Sequence, residues 1–384
     1  MALSLVLLIG TGLFESTLRN LKRVDIGFDP QRILLFEINP NANGTEFARA
    51  VEKNREIADR IRVLPGVQAC TFSKMPLLSV MGWNTRVRVP RQVSRASEES
   101  TAMVNAVSTD FFSTYGMPIL SGRGLGAEDE NRKTFAAVIN QAAATAFFGN
   151  ENPVGQMLEQ KSYKGEIRSI EVVGVSKNAS YSNVRDPVPR TIFLPFSFSG
   201  PMPSSAEATF AVRTTGDPRD LISTIRQIVR SVDPTIPIDN IRTQEKQIEQ
   251  LSAHERLFAW LSGFFSLLAI SLIAIGLYGL LSYNVNRRIG EIGLRMAIGA
   301  PPQGILWLFI KECFLFLGVG ILAGIASAYA ATRLIGSMLY GLAATDPTTF
   351  VIGALLLLAI SIFAIWLPAR RAARLNPVSA LRHS

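Results

Sequence analysis

The segment LFAWLSGFFSLLAISLIAIGLYGLLSYNVN, residues 257–286, decides the fold because it contains no charged residue over its whole length. A helix needs about 20 apolar residues to cross the hydrocarbon core of a bilayer, and an ordinary buried helix rarely sustains such a run. Two further uncharged runs follow, at residues 313–332 and 347–369. The sequence therefore predicts three membrane-spanning helices in the C-terminal part of the chain.

A fourth apolar run opens the chain at residues 1–14 and is too short to span a membrane by itself. A signal peptide is the alternative interpretation. No Lys or Arg precedes this run, however, and no small-x-small cleavage site follows it before Arg19. We therefore expect residues 1–24 to form a first membrane helix whose beginning is truncated, followed by a half-exposed stalk.

The composition of the 384 residues agrees with a membrane protein, since 48% are hydrophobic and only 18% are charged. The formal net charge is +9, and the basic residues of the C-terminal part flank the apolar runs. Nucleic-acid binders instead spread Lys and Arg over a polar surface, so we exclude nucleic acid as a partner. The two cysteines, Cys70 and Cys313, exclude a disulfide framework, and we expect Cys313 to be a buried thiol.

The pattern of residues 25–245 predicts an α+β domain between the first and second membrane helices. It is large enough to have its own core. Its strand candidates are rich in Val, Ile, Phe and Thr. They are residues 33–38, 67–72, 103–107, 135–139, 170–175, 191–194 and 209–213. Helices are predicted at residues 45–64, 141–148 and 218–232, the last with Asp217 as its N-cap and Pro218 as its first residue.

The orientation follows from the basic residues beside the membrane ends, because short basic loops stay in the cytoplasm. The loop with Arg287, Arg288 and Arg295 is basic, and so is the tail after residue 369, whereas residues 336–346 hold no basic residue. We therefore expect the α+β domain outside and the C-terminus inside. The first helix alone favours the opposite orientation, because three basic residues follow it and none precedes it.

Residues 286–300 carry the sharpest local pattern in the chain. On a helix, Arg287, Glu291 and Arg295 stand at positions i, i+4 and i+8 and share one charged stripe. Apolar residues fall on the opposite side, so the segment can lie along the inner membrane surface. An ordinary basic turn that satisfies the positive-inside rule is the alternative.

No sequence motif supports an enzyme. A phosphate loop of the form G-x-x-x-x-G-K-[ST] is absent, and the glycine cluster at residues 122–126 lacks its lysine, so we expect a plain turn there. The acidic run at residues 128–130 is expected to be solvated rather than catalytic. His254 and His383 have no partner residue nearby in sequence. We expect no catalytic residue, no metal and no cofactor on this chain, with any ATP bound by a partner.

Two motifs together resemble the FtsX/MacB-type family of ABC transporter permeases: RRIGEIGLRMAIGA at residues 287–300 and LPARRAARLNPVSALR at residues 367–382. The middle of the chain resembles a MacB-like periplasmic core domain, on the runs VSTDFFSTYG at residues 107–116 and YSNVRDPVPRTIFLP at residues 181–195. Within the family, the chain resembles the second half of the duplicated orphan permeases of acidobacteria.

This resemblance implies a bundle of four membrane helices in the bacterial inner membrane. The implied order is a truncated first helix and stalk (1–24), a periplasmic core domain (25–245) and a permease domain (246–384). The permease domain would hold a second helix at about 257–285, a coupling helix at about 286–300, a third helix at about 304–335, a fourth at about 347–368 and a basic cytoplasmic tail.

By the same resemblance, the coupling helix would dock onto a separate ABC ATPase subunit. The matched positions are Arg287, Arg288, Glu291, Leu294 and Arg295. The implied partners are that ATPase, a second permease half or a second copy of the chain, the lipid membrane, and a periplasmic protein. The implied function is efflux of a lipophilic or peptide-like substrate, or transmission of force across the envelope.

Two alternatives stay open at this point. The chain can be a non-transporting transmembrane regulator of a periplasmic partner, which predicts a protein bound to the outer domain and no flux. It can also be an incomplete half of a duplicated permease, which predicts an unstable product unless a companion half is co-expressed.

Overall fold

A computed structural model describes residues 2–21, 24–42, 44–79, 83–90, 100–132, 134–161, 167–181, 187–198, 205–251, 253–287, 302–334 and 347–372. The chain separates into two compact units. Val24–Leu251 form one, called the β-rich unit below, and Met1–Arg23 with Ser252–Ser384 form the other, called the helical unit.

The β-rich unit is an α+β domain, and its described residues form eleven strands and five α-helices. The strands are β1 Ile33–Ile38, β2 Val67–Ser73, β3 Trp83–Arg88, β4 Ser100–Val107, β5 Ile119–Gly122, β6 Phe135–Asn140, β7 Met157–Lys161, β8 Ile167–Ser176, β9 Thr191–Pro195, β10 Ala208–Thr214 and β11 Ile238–Thr243. The helices are α2 Phe47–Arg62, α3 Phe111–Tyr115, α4 Gln141–Phe148, α5 Ile222–Val232 and α6 Gln244–Leu251.

Six of these strands close into a ring, which we call the barrel. The order of hydrogen-bonded neighbours is β4-β3-β7-β8-β6-β9, and β9 returns to pair with β4 in parallel, with Val104 opposite Ile192. Alternate residues of a strand point to opposite faces, so each barrel strand serves two cores. In β6, for example, Ala137 and Ile139 join a cluster that receives side chains from all six strands, while Ala136 and Val138 join a second cluster.

The other main sheet has four antiparallel strands in the order β11-β1-β10-β2. Helices α2 and α5 cover one face of it, where Leu34, Phe36 and Ile38 of β1 are buried. Ile33 and Leu35 belong to the cluster on the opposite face. This four-strand sheet meets the barrel where β2 pairs with β4, at the single register pair Ser73 and Val107.

Each predicted strand and helix of the β-rich unit is present, and β1 and α4 have the predicted bounds. The helix predicted at residues 218–232 begins as a 3-10 turn, Pro218–Leu221, before it becomes α5. The prediction that Asp217 is the N-cap is confirmed, because its side chain accepts a hydrogen bond from the Arg219 N–H at 2.9 Å. The sequence did not predict β3, β5, β7, β11, α3 and α6.

The helical unit contains α1 Ala2–Leu21, α7 Ala253–Arg287, α8 Pro302–Leu334 and α9 Pro347–Ala372 in its described residues. These helices contain the runs predicted to span a membrane. By length and hydropathy, two of the described segments are candidate spans, Ala2–Asn20 and Arg256–Leu280. Leu317–Arg333 and Pro347–Phe363 are shorter apolar segments.

Helix α1 packs against α7, α8 and α9. Leu5, Ile9 and Leu13 lie at helical spacing on its buried face and form a cluster with Ala328 and Leu357. The Oγ1 atom of Thr11 lies 3.0 Å from the Oγ atom of Ser266, an interhelical hydrogen bond of the kind that helps membrane helices associate.

Two glycines in the apolar runs, Gly324 and Gly353, permit close approach between helices. A Cβ at Gly324 would lie 2.9 Å from Cδ2 of Leu5, and a Cβ at Gly353 would lie 3.1 Å from Cγ1 of Ile9. At Gly276, Gly279 and Gly318, by contrast, an added Cβ would meet no atom within 4 Å.

Candidate coupling site

Most of the residues that the sequence assigns to ATPase coupling lie outside the described part of the chain. Arg287 is the last residue of α7, and it is exposed. A cation in the last turn of a helix interacts favourably with the helix dipole. Arg288, Glu291, Leu294 and Arg295 lie outside the described residues, so the shared charged stripe stays a prediction.

The acidic run at residues 128–130 is not a solvated charge run, so that prediction is wrong for two of its three residues. The side chain of Asp129 is fully buried, and Arg123 donates to it from both terminal nitrogens, at 2.5 and 2.8 Å. The Gly126 N–H also donates to Asp129, at 2.9 Å. Burial raises the pKa of Asp129, but the hydrogen bonds from Arg123 and Gly126 outweigh it, and the pKa lies below its ordinary value. The glycine cluster is thus a turn around a carboxylate.

Glu130 is partly buried and pairs with Arg55 of α2. Burial raises the pKa of Glu130, although the charge of Arg55 opposes that effect. The backbone carbonyl of Glu130 also accepts a hydrogen bond from the Ser197 hydroxyl at 3.2 Å. Since α2 covers the four-strand sheet and the turn at residues 127–131 leads into the barrel, this ion pair ties the two sheets together.

The described residues contain no group of three or more His, Cys, Asp or Glu side chains that could hold a metal ion. Cys70 is fully buried, and burial raises the pKa of its thiol to about 12. A thiol with so high a pKa is almost entirely protonated near neutral pH and is a poor nucleophile. The chemistry of Cys70 is therefore that of a small core side chain.

The structure reveals a site that the sequence did not predict, in the two segments of the β-rich unit that lead to α1 and to α7. Residues 24–32 join α1 to β1, and we call them the first linker. The Asp25 carboxylate lies 2.5 Å from Nζ of Lys177, and the Ile26 carbonyl accepts a hydrogen bond from the Ser180 N–H at 3.0 Å. At Gly27, with φ of +85°, an added Cβ would lie 1.8 Å from the Asn178 carbonyl oxygen, so only glycine fits there.

Arg213 of β10 fixes the other end of the first linker. Its guanidinium donates to the Asp29 carboxylate at 2.8 Å and to the Asp29 carbonyl at 2.8 Å, while its Nε donates to the Thr114 carbonyl at 2.7 Å. The Asp29 N–H in turn donates to the Tyr115 carbonyl at 2.9 Å. The planar, multiply bonded guanidinium therefore orients the linker against α3, a geometry that lysine cannot reproduce.

Helix α6 forms the second linker, because it leads from β11 to α7 with only residue 252 between them. Ile248 and Leu251 of α6 pack against the cluster that also contains Phe28 of the first linker. We call the rings of this cluster the aromatic core, and they are Phe28, Phe111, Phe112, Tyr115, Tyr181 and Phe193. Both linkers thus end in one closely packed core, which can pass a displacement from either of them to the barrel strands.

Sequence reasoning missed this convergence because its contacts join distant parts of the chain. Arg213 and Asp29 lie 184 residues apart, and Lys177 and Asp25 lie 152 residues apart. The motif at residues 107–116, which carried a family resemblance, contains three of the six aromatic-core rings. The motif at residues 181–195 contains two more, Tyr181 and Phe193, so these two motifs were the available signal.

Comparison with known proteins gives two family matches along the chain. Residues 1–243 match the MacB-like periplasmic core domain, and residues 263–377 match the FtsX-like permease C-terminal domain. The first match covers the first linker, the barrel and the four-strand sheet, and the second linker lies between the two matches. The second covers the segment that holds the predicted coupling positions.

Individual relatives are similar over most of this chain. The macrolide export ATP-binding/permease protein MacB of Marinobacter nauticus is 30% identical over 74% of this chain and 44% of its own length. The pyoverdine export ATP-binding/permease protein PvdT of Pseudomonas aeruginosa is 28% identical over 73% of this chain and 42% of its own length. The chain thus spans less than half the length of these relatives.

A solved structure, the periplasmic region of MacB from Actinobacillus actinomycetemcomitans, aligns with 61% of this chain and 98% of its own length. The sequence identity is 17% and the TM-score is 0.38.

Proposed function

Because this chain belongs to the FtsX-like and MacB-like family of ABC transporter permeases, we propose that it is the permease subunit of an exporter, in which ATP hydrolysis on a separate ATPase subunit drives movement of the β-rich unit. One observation carries the proposal: both linkers are anchored in the same aromatic core. A movement of the membrane helices would therefore reach the strands around that core instead of being absorbed by loose linkers.

The ATP-driven step is assigned to a partner because the phosphate-loop motif is absent from these 384 residues. The relatives are named as fused ATP-binding/permease proteins, whereas the two domains matched in this chain are a permease domain and a periplasmic core domain. We propose that the chain works as a pair, with a second permease half or a second copy of itself. The relatives' names describe export, which supports efflux of a lipophilic or peptide-like substrate.

For topology, we propose that α1, α7, α8 and α9 form a bundle of four membrane helices in the bacterial inner membrane. The β-rich unit would be periplasmic and the C-terminal tail cytoplasmic. The argument is the excess of basic residues in the loop after α7 and in the tail. Arg287, Arg288, Glu291, Leu294 and Arg295 would then face the cytoplasm, where the ATPase binds.

The coupling role is tested by Arg295→Glu in the full-length chain, purified in mild detergent from its native host. We expect the native chain to recover a phosphate-loop ATPase, and Arg295→Glu to lose that ATPase, because the reversed charge disrupts an ion-paired docking surface. Arg333→Glu is the matched control, since Arg333 is in the last turn of α8, at the opposite membrane face of the proposed topology. Equal ATPase recovery by all three chains would contradict the coupling assignment. Recovery of only an envelope protein would favour the regulator.

The topology is tested by single cysteines at Ala127 and Ser379, in a chain that carries Cys313→Ala and keeps the buried Cys70. Ala127 is exposed in the β-rich unit. In intact spheroplasts we expect a membrane-impermeant maleimide to label position 127, and to label position 379 only after permeabilisation. Labelling of position 379 without permeabilisation would show that the orientation is reversed.

A further inference from the structure

Gln247 of α6 connects the second linker to the loop that follows β2, residues 74–79. Its side chain is only 6% exposed. Its Nε2 donates to two successive backbone carbonyls of that loop, those of Leu77 at 3.1 Å and Leu78 at 2.7 Å. Its Oε1 accepts from Nε2 of Gln244 at 3.4 Å. A buried amide that uses both of its donors in this way fixes the position of α6 relative to the loop.

The loop itself is held rigidly at its other end. Asn105 of β4 brackets Met75, because its Oδ1 accepts from the Met75 N–H at 3.1 Å and its Nδ2 donates to the Met75 carbonyl at 2.9 Å. Leu77 and Leu78 are buried, and Leu78 has a φ of +59°, which leucine adopts only when its surroundings enforce it. A displacement of α6 therefore moves the loop as a whole.

Asn105 carries the connection into the barrel, since β4 pairs with β2, β3 and β9. Its Nδ2 also donates to the hydroxyl of Tyr181 at 2.9 Å. Ser180, the residue before Tyr181, holds the Ile26 carbonyl of the first linker. The path from Gln247 through the loop and Asn105 to Tyr181 thus ends where the first linker is attached.

The two sheets also meet directly, in the pairing of β2 with β4, in the Arg55–Glu130 ion pair and in a shared apolar cluster. The path through Gln247 is a separate, hydrogen-bonded connection between them. Helix α6 contacts β1 and β11 of the four-strand sheet, and its Ile248 and Leu251 pack on the cluster that contains the aromatic core. Its hydrogen-bonded connection to barrel strand β4 passes through residues 74–79. We propose that Gln247 is the positioning residue that transmits movement of α6 to the barrel. The proposal rests on the proposed function, and it names the residue through which the β-rich unit responds.

The test uses the full-length chain in nanodiscs with its ATPase partner and spin labels on cysteines at Ser169 and Gln227, in a background with Cys70→Ala and Cys313→Ala. Both positions are exposed, Ser169 on barrel strand β8 and Gln227 on α5 over the four-strand sheet. The label-to-label distance is measured without nucleotide and with ATP and vanadate. Gln247→Met keeps the side-chain length but has no hydrogen-bond donor, and Gln250→Met is the matched control, because Gln250 is exposed on the same helix.

We expect a nucleotide-dependent distance shift in the native chain and in Gln250→Met, and loss of that shift in Gln247→Met with an unchanged ATPase rate. A role in stability alone would not remove the shift from a folded, ATP-hydrolysing complex. If Gln247→Met does not accumulate, Tyr181→Phe replaces it with the same expected loss, because it removes only the hydroxyl that accepts from Asn105.

A full shift in Gln247→Met, or in Tyr181→Phe where that variant replaces it, would overturn the assignment of Gln247 while leaving the proposed function in place. An invariant distance in the native chain would overturn this proposal as well. In that case the pull-down of Arg295→Glu still decides separately whether the chain is coupled to an ATPase.

Discussion

Phe193→Ala is expected to destabilise the β-rich unit by about 3–5 kcal/mol, the usual cost of truncating a buried phenylalanine. Phe193 is 1% exposed, and its ring centroid lies 5.7 Å from that of Phe111, 5.1 Å from that of Phe112 and 6.2 Å from that of Tyr181. It is on β9, the strand that closes the barrel. The substitution therefore leaves a cavity in the core where both linkers end.

The measurement is hydrogen exchange of the full-length chain in a urea series, read by mass spectrometry on peptides from β4, β6 and β9. Their protection should be lost at a much lower urea concentration in Phe193→Ala than in the native chain. Leu120→Ala is the control, because Leu120 is 52% exposed and its truncation is expected to change stability by less than about 0.5 kcal/mol. Equal urea midpoints for the two variants would contradict the expected contribution of Phe193 to the stability of the β-rich unit.

Asp129→Ala is expected to cost about 3 kcal/mol, the lower end of the range for removing one partner of a buried ion pair. The lower end applies because Arg123 and Arg132 are partly exposed, can regain water and keep Glu128 and Glu171 as partners. Glu128→Ala is the matched control next to it. Glu128 is 65% exposed and lies 3.4 Å from Arg123, so its loss should cost about 0–1 kcal/mol.

The stabilisation from Asp129 should also depend on pH. Its pKa is lower in the folded chain than in the unfolded chain, so its contribution is complete above the unfolded value of about 3.9 and is lost as the pH falls through the folded value. Urea midpoints of the native chain, Asp129→Asn and Glu128→Ala, measured between neutral and acidic pH, test this. In the native chain we expect the urea midpoint to fall as the pH becomes acidic. We expect this fall to be smaller in Asp129→Asn and unchanged in Glu128→Ala. The same acid sensitivity in all three chains would contradict this assignment.

Strands and helices whose own residues show a clear apolar pattern were predictable from the sequence. Strands that depend on pairing with neighbouring strands were not. Strand β1 reads ILLFEI and is buried on both faces, so its bounds followed from the residues alone. Strand β3 reads WNTRVR, with charged or polar residues on its exposed positions, and β7 reads MLEQK. Their strand conformation comes from pairing with their neighbours, β3 with β4 and β7 with β8, and from the two pairs they share, Val87 with Gln160 and Arg88 with Glu159.

The same distinction explains what was missed at the candidate site. The acidic run was taken as solvated because charged side chains are rarely buried without partners. Its partners, Arg123 and Arg132, flank the run in sequence, but only the turn at Gly126 shows that Asp129 points between them. Gln247 carried no sequence signal at all, because its acceptors lie 170 and 169 residues away.

The pairing of β1 has a consequence for how the chain is made. Strand β1 lies near the start of the β-rich unit, yet its neighbours are β10 and β11, which are synthesised some 170 to 200 residues later. Until the ribosome has delivered them, both edges of β1 stay unpaired, and the ring cannot close before β9 emerges. The growing chain therefore has unpaired strand edges while most of the β-rich unit is synthesised. Unpaired edges can pair with other chains, so aggregation is most favoured during this interval.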